Sequence, residues 1–296
     1  MVQILLGILG VMTAWFLVVF VKDYMAAKSA GNLGEEGSTV AHGAVGFGVN
    51  FFDTLGIGGF APMTALFKQF KLVNDRILPG TLNTAMTIPV VAEAFIFIKK
   101  VEVEPLTLGA MLVAATLGAI LGAGFVAKMD EKKVQLYMGS ALIVVVLIMV
   151  SQQLGLIQGG GTALGLSGTK LVIAVVGNFI LGALMTLGIG LYAPCMALVY
   201  FLGLSPLVAF PIMMGSCAYL MPAASVRFIK EGAYNRKATL MNILFGVPGV
   251  LVAAYLVTGL SIAALTKVVM AVVLYTAIKL ILDSRKAVPA AADAKN

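Results

Sequence analysis

Two segments of the sequence repeat one pattern of glycine and proline inside apolar surroundings. Residues 55–62 read LGIGGFAP and residues 187–194 read LGIGLYAP. Glycine permits a turn through positive φ without a Cβ clash, and proline is favoured in the first turn of a helix. Each segment therefore predicts a break at which one helix ends and another begins. The free N–H groups and partial positive charge of such a helix start attract an anion without a buried arginine or lysine.

The residues of the two breaks and nearby short polar side chains form the candidate anion site. Short donors follow Pro79 and Pro211, where they would complete the shell of an oxyanion. The alternative is that these groups bond to carbonyls of their own helices, and that Tyr192 only packs. The candidate substrate-binding residues are Gly56, Gly58, Gly59, Phe60, Pro62, Asn83, Thr84, Gly188, Gly190, Tyr192, Pro194, Ser216 and Cys217.

Asp53 lies three positions before Gly56, inside an apolar segment. An ionisable residue within a membrane segment is a functional hypothesis by default, so we consider that Asp53 takes up a proton during transport. A pair with Lys68, or capping of local backbone, is the alternative. Glu93 is expected to reach the membrane interface from near the end of its span.

Neither catalytic residues nor a cofactor or metal site is predicted. His42 is the single histidine and is expected in an interfacial loop, and the two cysteines, Cys195 and Cys217, lie in apolar surroundings without metal-ligand spacing. No phosphate-binding loop is present. These features argue against a nucleotide-driven pump and against an intramembrane hydrolase, so we do not expect an enzyme.

The elements that position these residues are membrane spans. The chain has 296 residues, of which 60% are hydrophobic and 11% charged, and several apolar stretches are long enough to cross about 30 Å of hydrocarbon. The composition predicts an all-α polytopic membrane protein. The net charge of +7 arises from short basic loops rather than a nucleic-acid surface.

A shift of 132 positions aligns the two halves of the chain, with Leu72 on Leu204 and Pro79 on Pro211. Near Gly118 the shift becomes 131, which places that residue on Gly249. Self-similarity at this length predicts two structural repeats. The predicted organisation is an N-terminal helix over 1–22, a polar loop over 23–40, repeat 1 over 41–151, a linker over 152–169, repeat 2 over 170–283 and a disordered tail over 284–296.

Each repeat begins with a broken segment, over 41–71 and 170–203. Three ordinary spans follow, over 77–98, 106–127 and 134–151 in repeat 1, and over 206–228, 238–258 and 261–282 in repeat 2. If neither broken segment makes a net crossing, only Lys99, Lys100, Lys170 and Lys267 of the 20 lysine and arginine residues lie outside. That distribution follows the positive-inside rule, predicts inverted repeats and places the C-terminus in the cytoplasm. Re-entrant hairpins with arms of about 15–18 residues are favoured, and pairs of short full spans remain the alternative.

The repeated arrangement of an apolar helix, a Gly-Ile-Gly turn, a following proline and a second proline-containing helix resembles the TauE/SafE sulfite exporter family. The resemblance covers about residues 40–282. It implies transport of sulfite, sulfonates or related sulfur oxyanions across the cytoplasmic membrane of a prokaryote. The family commonly has a third glycine at the turn, which is kept as Gly59 but replaced by Leu191 in the second copy.

The expected function is that of a secondary transporter, an exporter, which works by alternating access around a midplane site at the two breaks. An anion channel, or a carrier for a different small organic anion, is the alternative. The expected partners are a small anion and the lipid bilayer, without nucleic acid, and a homo-oligomer is left open. The identity of the anion and the coupling ion are not readable from the sequence.

Overall fold

The computed structural model describes residues 2–31, 37–74, 76–126, 131–154, 156, 161–185, 190–259 and 261–285. These residues form helices, with a single isolated β-bridge between Ala163 and Leu204. Five of the helices are long and apolar enough to span a membrane. The helices are α1 (Val2–Ser29), α2 (Thr39–Thr54), α3 (Phe60–Gln69), α4 (Leu78–Lys100), α5 (Pro105–Val126), α6 (Glu131–Gln153), α7 (Gly168–Met185), α8 (Tyr192–Phe201), α9 (Ala209–Lys230, preceded by a 3-10 turn at Pro206–Val208), α10 (Arg236–Gly259) and α11 (Ile262–Arg285).

The six ordinary spans of the two predicted repeats are each occupied by one helix, within a few residues of the predicted bounds. The first helix is longer than predicted, because α1 continues through residues assigned to the polar loop and ends at Ser29. Its last turns are held to the start of α10, where Arg236 Nε donates to Asp23 Oδ2 at 2.7 Å. Tyr234 donates to the same oxygen at 2.5 Å. Asp23 therefore anchors α1 to the bundle, and its two partners account for the extension.

Each broken segment is a helical hairpin whose second arm is short. Both α3 and α8 have 10 residues, which corresponds to about 15 Å and is too short to cross the hydrocarbon layer. The expectation of arms of about 15–18 residues is therefore wrong for the second arm of each hairpin. The ends of each hairpin lie together, since Gly37 before α2 packs against the carbonyl of Leu72 after α3. In the second hairpin Lys170 Nζ donates to the carbonyl of Leu202 at 3.2 Å.

The short arms end in the same way in both hairpins. After α3, Lys71 N–H bonds to Lys68 O and Leu72 N–H to Phe67 O. After α8, Gly203 and Leu204 make the two corresponding bonds, to Tyr200 O and Val199 O. This is the Schellman arrangement, in which the residue after the cap adopts positive φ, here 50° at Lys71 and 90° at Gly203. The two arms thus stop at corresponding positions of the predicted repeats.

Helices of the first half pack mainly against helices of the second half. α2 lies along α10, and α7 lies along α5. The closest approaches are made at glycines without room for a Cβ, where Gly249 of α10 meets the carbonyl of Phe47 on α2. In the other pair, Gly118 of α5 meets the carbonyl of Phe179 on α7. The shifts that align the two halves convert one contact into the other, since Phe47 aligns with Phe179 and Gly118 with Gly249. At both sites a small residue permits close backbone packing.

The central pair, α4 and α9, runs antiparallel. Phe97 near the end of α4 stacks on Phe210 at the start of α9, with ring centroids 5.1 Å apart. At the other end, Gly80 at the start of α4 packs on the ring of Phe228 near the end of α9. Between them, the hydroxyls of Thr87 and Ser225 are 2.8 Å apart. These contacts fix the register of the two helices that flank both hairpin tips.

Candidate functional site

The first helix break is built by three glycines with separate roles. Gly56 ends α2 in a Schellman arrangement, with φ of 95° and bonds from Gly56 N–H to Asp53 O and from Ile57 N–H to Phe52 O. Gly58 has φ of 85°, and Gly59 precedes the first residue of α3. The glycine-rich turn therefore reverses the chain within a few residues, as the sequence predicts.

Both second arms begin directly after the break. Pro62 is the third residue of α3 and Pro194 the third residue of α8. The first helical bonds run from Met63 N–H to Gly59 O and from Cys195 N–H to Leu191 O, both at 3.0 Å. The prediction that a new helix starts at each break is confirmed. Gly188 lies outside the described residues.

The two breaks line one cavity at the centre of the bundle, with a volume of about 120 Å³. One wall comes from each hairpin tip, and α4 and α9 supply a floor that contains thioether and thiol groups. Residues of α6 and α11 form the remaining side. The lining comprises Asp53, Ile57, Gly58, Gly59, Phe60 and Ala61 from the first hairpin, Met185, Gly190, Leu191 and Tyr192 from the second, Met86, Val90, Cys217 and Met221 from the floor, and Gln135, Tyr275, Thr276, Lys279, Leu280 and Asp283.

Glu93 of α4 joins the two hairpins. Its side chain is fully buried, in contrast to the interfacial position expected from the sequence. One carboxyl oxygen lies 2.7 Å from the hydroxyl of Thr54, the last residue of α2. The other accepts a hydrogen bond of 3.0 Å from the hydroxyl of Tyr192, the first residue of α8. One carboxyl group therefore contacts both breaks at once.

Asp53 is 2% exposed and lies in the last turn of α2. Its carboxyl group accepts a hydrogen bond from the backbone amide of Gly59, while its Oδ2 has no hydrogen-bond partner. The alternative that Asp53 caps local backbone thus describes the geometry. Because the position aligned with Asp53 is Met185, the start of α8 has no internal carboxylate from the corresponding residue. The two helix starts are consequently unequal.

The short polar side chains that follow Pro79 and Pro211 take part in helix packing. Each bonds to the carbonyl four residues earlier: Asn83 to Pro79 at 3.0 Å, Thr84 to Gly80 at 2.9 Å and Ser216 to Ile212 at 2.7 Å. Thr84 also contacts Thr239 of α10, and Ser216 accepts from Asn178 of α7. These three residues lie outside the cavity lining, whereas Cys217 is part of it. The alternative that hydroxyls bond within their own helices therefore describes Thr84 and Ser216.

Three other predicted residues are part of the breaks but do not line the cavity. A side chain at Gly56 would meet the thioether of Met196, so the turn packs closely against α8. Pro62 faces a separate groove beside Val45 and Phe52. Pro194 is buried within the first turn of α8. The remaining break residues, Gly58, Gly59, Phe60, Gly190 and Tyr192, line the cavity together, as listed above.

Sequence reasoning missed Glu93 because the span was expected to end soon after it. In the structure α4 continues to Lys100, two turns beyond Glu93. The signal was present: Glu93 is flanked by apolar residues on both sides, and the pair Lys99–Lys100 marks the true helix end. An acidic residue at that depth requires hydrogen-bond partners from neighbouring helices.

Comparisons of the chain with protein-family models, with curated proteins and with solved structures find no match. The cavity and the residues that surround it are therefore the basis for assigning a function.

Proposed function

We propose that this protein is a secondary transporter of a small anion, such as sulfite or an organosulfonate, across the cytoplasmic membrane of a prokaryote. The observation that carries the proposal is the cavity lined by both helix breaks. Non-helical backbone at membrane depth is tolerated where it is buried in protein or lines a watery cavity. Two broken helices that meet at such a cavity are typical of secondary transporters, and the resemblance to TauE/SafE exporters agrees with this function.

The proposal includes an inverted-repeat arrangement of residues 41–151 and 170–283. Three observations support it: the matched glycine contacts between α2 and α10 and between α5 and α7, the antiparallel central pair, and the hairpins that open at opposite ends of the bundle. A two-fold axis that relates antiparallel spanning helices lies in the membrane plane. Alternating access would then proceed by rocking of one repeat against the other around the cavity.

The start of α8 is the proposed anion contact. The first residues of this helix, Tyr192 and Ala193, carry amide groups without intrahelical acceptors, and the helix dipole adds a partial positive charge. Lys279 and Asp283 line the opposite side of the cavity. A sulfonate or sulfite ion suits these amide donors because it is negatively charged and presents several acceptor oxygens around one sulfur atom.

The size of the cavity favours a small solute. Its volume of about 120 Å³ is well below the ~300–1,000 Å³ of pockets that hold drug-sized ligands. Its floor of methionine and cysteine side chains presents polarisable, adaptable surface to the part of the solute that carries no charge. A sulfonate with a short apolar group would use both the polar and the apolar walls.

Binding and transport by the purified protein test the proposal. We expect saturable binding of at least one anion among sulfite, sulfate, thiosulfate, sulfoacetate, taurine and short carboxylates. In proteoliposomes, counter-transport of the bound anion distinguishes a carrier from a channel. Absence of binding and flux for all of these anions would contradict the proposal.

A glycine substitution ties the binding to the cavity. Gly190→Val places two methyl groups in the cavity, at a residue with no atom within 4 Å of an added Cβ, and we expect a loss of binding of at least tenfold. Gly48→Val is the matched control, because Gly48 of α2 also has no atom within 4 Å and does not line the cavity. Equal affinities in the two variants would place the anion elsewhere.

A further inference from the structure

We propose that Glu93 is the proton-binding residue of this transporter, and that it takes up one proton with each anion. The inference rests on the proposed function, since it assigns the coupling ion of the same site. It differs from the hypothesis formed from the sequence, in which Asp53 had this role. The geometry that carries it is the pair of contacts from Glu93 to Thr54 and to Tyr192.

The hydroxyl of Thr54 shows which protonation state fits the hydrogen bonds. Its oxygen lies 2.8 Å from the carbonyl oxygen of Asn50 and 2.7 Å from a carboxyl oxygen of Glu93. A hydroxyl has one hydrogen to donate, and a carbonyl oxygen has none. When the carboxyl of Glu93 is protonated, it donates to Thr54, and Thr54 donates to Asn50. Every contact in the chain then contains one hydrogen.

An ionised Glu93 leaves that chain one hydrogen short. Thr54 would then have two acceptors, the Asn50 carbonyl and the carboxylate, for its single hydrogen. The bond from Tyr192 is compatible with either state, because its hydroxyl donates to the other carboxyl oxygen. Loss of the proton therefore changes the contact to the first hairpin while it keeps the contact to the second. That difference links the charge of Glu93 to the relative positions of the two hairpin tips.

The groups around Glu93 make a second buried charge unfavourable. The titratable side chains that face it are Asp53 from α2, Tyr192 from α8 and Cys217 from α9. None of these is a cation. The charged residues of the other helices that pack on α4 lie toward helix ends: Lys22, Asp23 and Lys28 of α1, Lys68 of α3, and Arg236 and Lys237 of α10. Lys279 and Asp283 lie across the cavity on α11.

Proton uptake resolves the charge problem of an anion in this cavity. The carboxyl group of Asp53 lies beside the start of α3, so a bound anion beside an ionised Glu93 would add a further negative charge to an acidic cavity. Isolated charges in a low-dielectric site are costly, and the group neutralises instead. A proton from the water on the open side binds one oxygen of Glu93 as the anion enters. It returns to water on the opposite side when the anion leaves, so the pair crosses with no added charge on Glu93.

Infrared difference spectroscopy tests Glu93 without any anion. Protonated carboxyl groups have a C=O stretching band that is absent from carboxylates and from amides of glutamine. As the pH of the purified protein is lowered from alkaline values, we expect a component of this band to appear that is lost in Glu93→Gln and retained in Asp53→Asn. Glu231→Gln is the matched control, because Glu231 is an exposed residue of the loop before α10. A band that is the same in Glu93→Gln and the wild type at every pH would overturn the assignment.

Calorimetry with methanesulfonate tests the coupling. Methanesulfonate stays ionised over the usable pH range, so any proton taken up on binding is bound by the protein. Titrations in two buffers of different ionisation enthalpy should give about one proton per methanesulfonate at a pH where Glu93 is partly ionised. Glu93→Gln, whose amide donates to Thr54 and whose carbonyl accepts from Tyr192, should bind within about threefold of the tightest wild-type affinity and take up no proton.

The outcomes separate the two proposals. Binding of methanesulfonate without proton uptake at any pH would overturn the role of Glu93 and leave the anion site intact. Equal proton uptake in the wild type and Glu93→Gln would assign the proton to another group and also overturn it. No binding of any tested anion would reject the proposed function, while the infrared result would still decide whether Glu93 holds a proton.

Discussion

Individual residues at the breaks were predictable where backbone conformation decides them. Gly56 and Gly58 have positive φ, as the need for a turn without a Cβ implied, and Pro62 and Pro194 lie in the first turns of new helices. The partners of Glu93 were not predictable. Thr54 and Tyr192 belong to different halves of the chain, and only the packed structure brings them to one carboxyl group.

Gly58 and Gly48 differ in what they require, and substitution by alanine separates the requirements. Neither has an atom within 4 Å of an added Cβ, but Gly58 has φ of 85° whereas Gly48 lies within α2. Left-handed backbone costs an L-residue about 1–2 kcal/mol. We expect Gly58→Ala to lower the free energy of unfolding by about that amount and Gly48→Ala not to lower it, because alanine favours a helix over glycine.

Unfolding of both variants by sodium dodecyl sulfate in mixed micelles, followed by circular dichroism, measures these free energies. Equal losses in the two variants would contradict the assignment of the loss to the left-handed backbone angle of Gly58.

At the scale of helices, the sequence predicted which elements exist better than where they end. The apolar periodicity placed the ordinary spans, but α1 extends to Ser29 because Asp23 finds partners from the start of α10. The broken segments were predicted to end at 71 and 203, and α3 and α8 stop two residues before these positions. The estimate of about 15–18 residues for each arm of the segment 170–203 was too long for α8.

The matched ends of α3 and α8 give a reciprocal prediction. Lys71 and Gly203 occupy the same place in the two Schellman arrangements, with φ of 50° and 90°. Lys71→Gly removes left-handed strain at the cost of a more flexible unfolded chain, so we expect a gain of about 0.5–1 kcal/mol in the free energy of unfolding. Gly203→Lys should lose about 1–2 kcal/mol.

Detergent unfolding of the single variants and of the double variant measures both effects. The double variant should show the sum of the two changes, because the residues lie in different hairpins. Changes of the same sign in the two single variants would show that the ends are not equivalent.

At the scale of the whole molecule, the sequence predicts an internal duplication, and its charge distribution predicts how the chain crosses the membrane. Which helices pack together was not visible. The contact of Gly249 with Phe47, and that of Gly118 with Phe179, joins residues about 200 and 60 positions apart, and a repeat alone does not specify whether such pairs form within or between halves.

Accessibility of introduced cysteines tests the inverted topology. Lys28→Cys and Glu231→Cys lie at one end of the bundle, near the contact of Asp23 with Arg236, while Glu102→Cys lies at the other end, between α4 and α5. In whole cells we expect a membrane-impermeant maleimide to label only Glu102→Cys. The native Cys195 and Cys217 are buried, and the unsubstituted protein serves as the background control.

Labelling of Glu102→Cys and Glu231→Cys from the same side would contradict the inverted arrangement. Labelling of Glu231→Cys alone would keep the opposite placement of the two loops but reverse the orientation of the whole protein.

The cross-packing of α2 with α10 and of α5 with α7 has a consequence for biogenesis. In each half, helix surfaces are covered by helices of the other half. When only the first half has been inserted, α2 and α5 therefore face lipid until α7 and α10 have been translated. Maturation of this protein is therefore completed late, after translation of the second half.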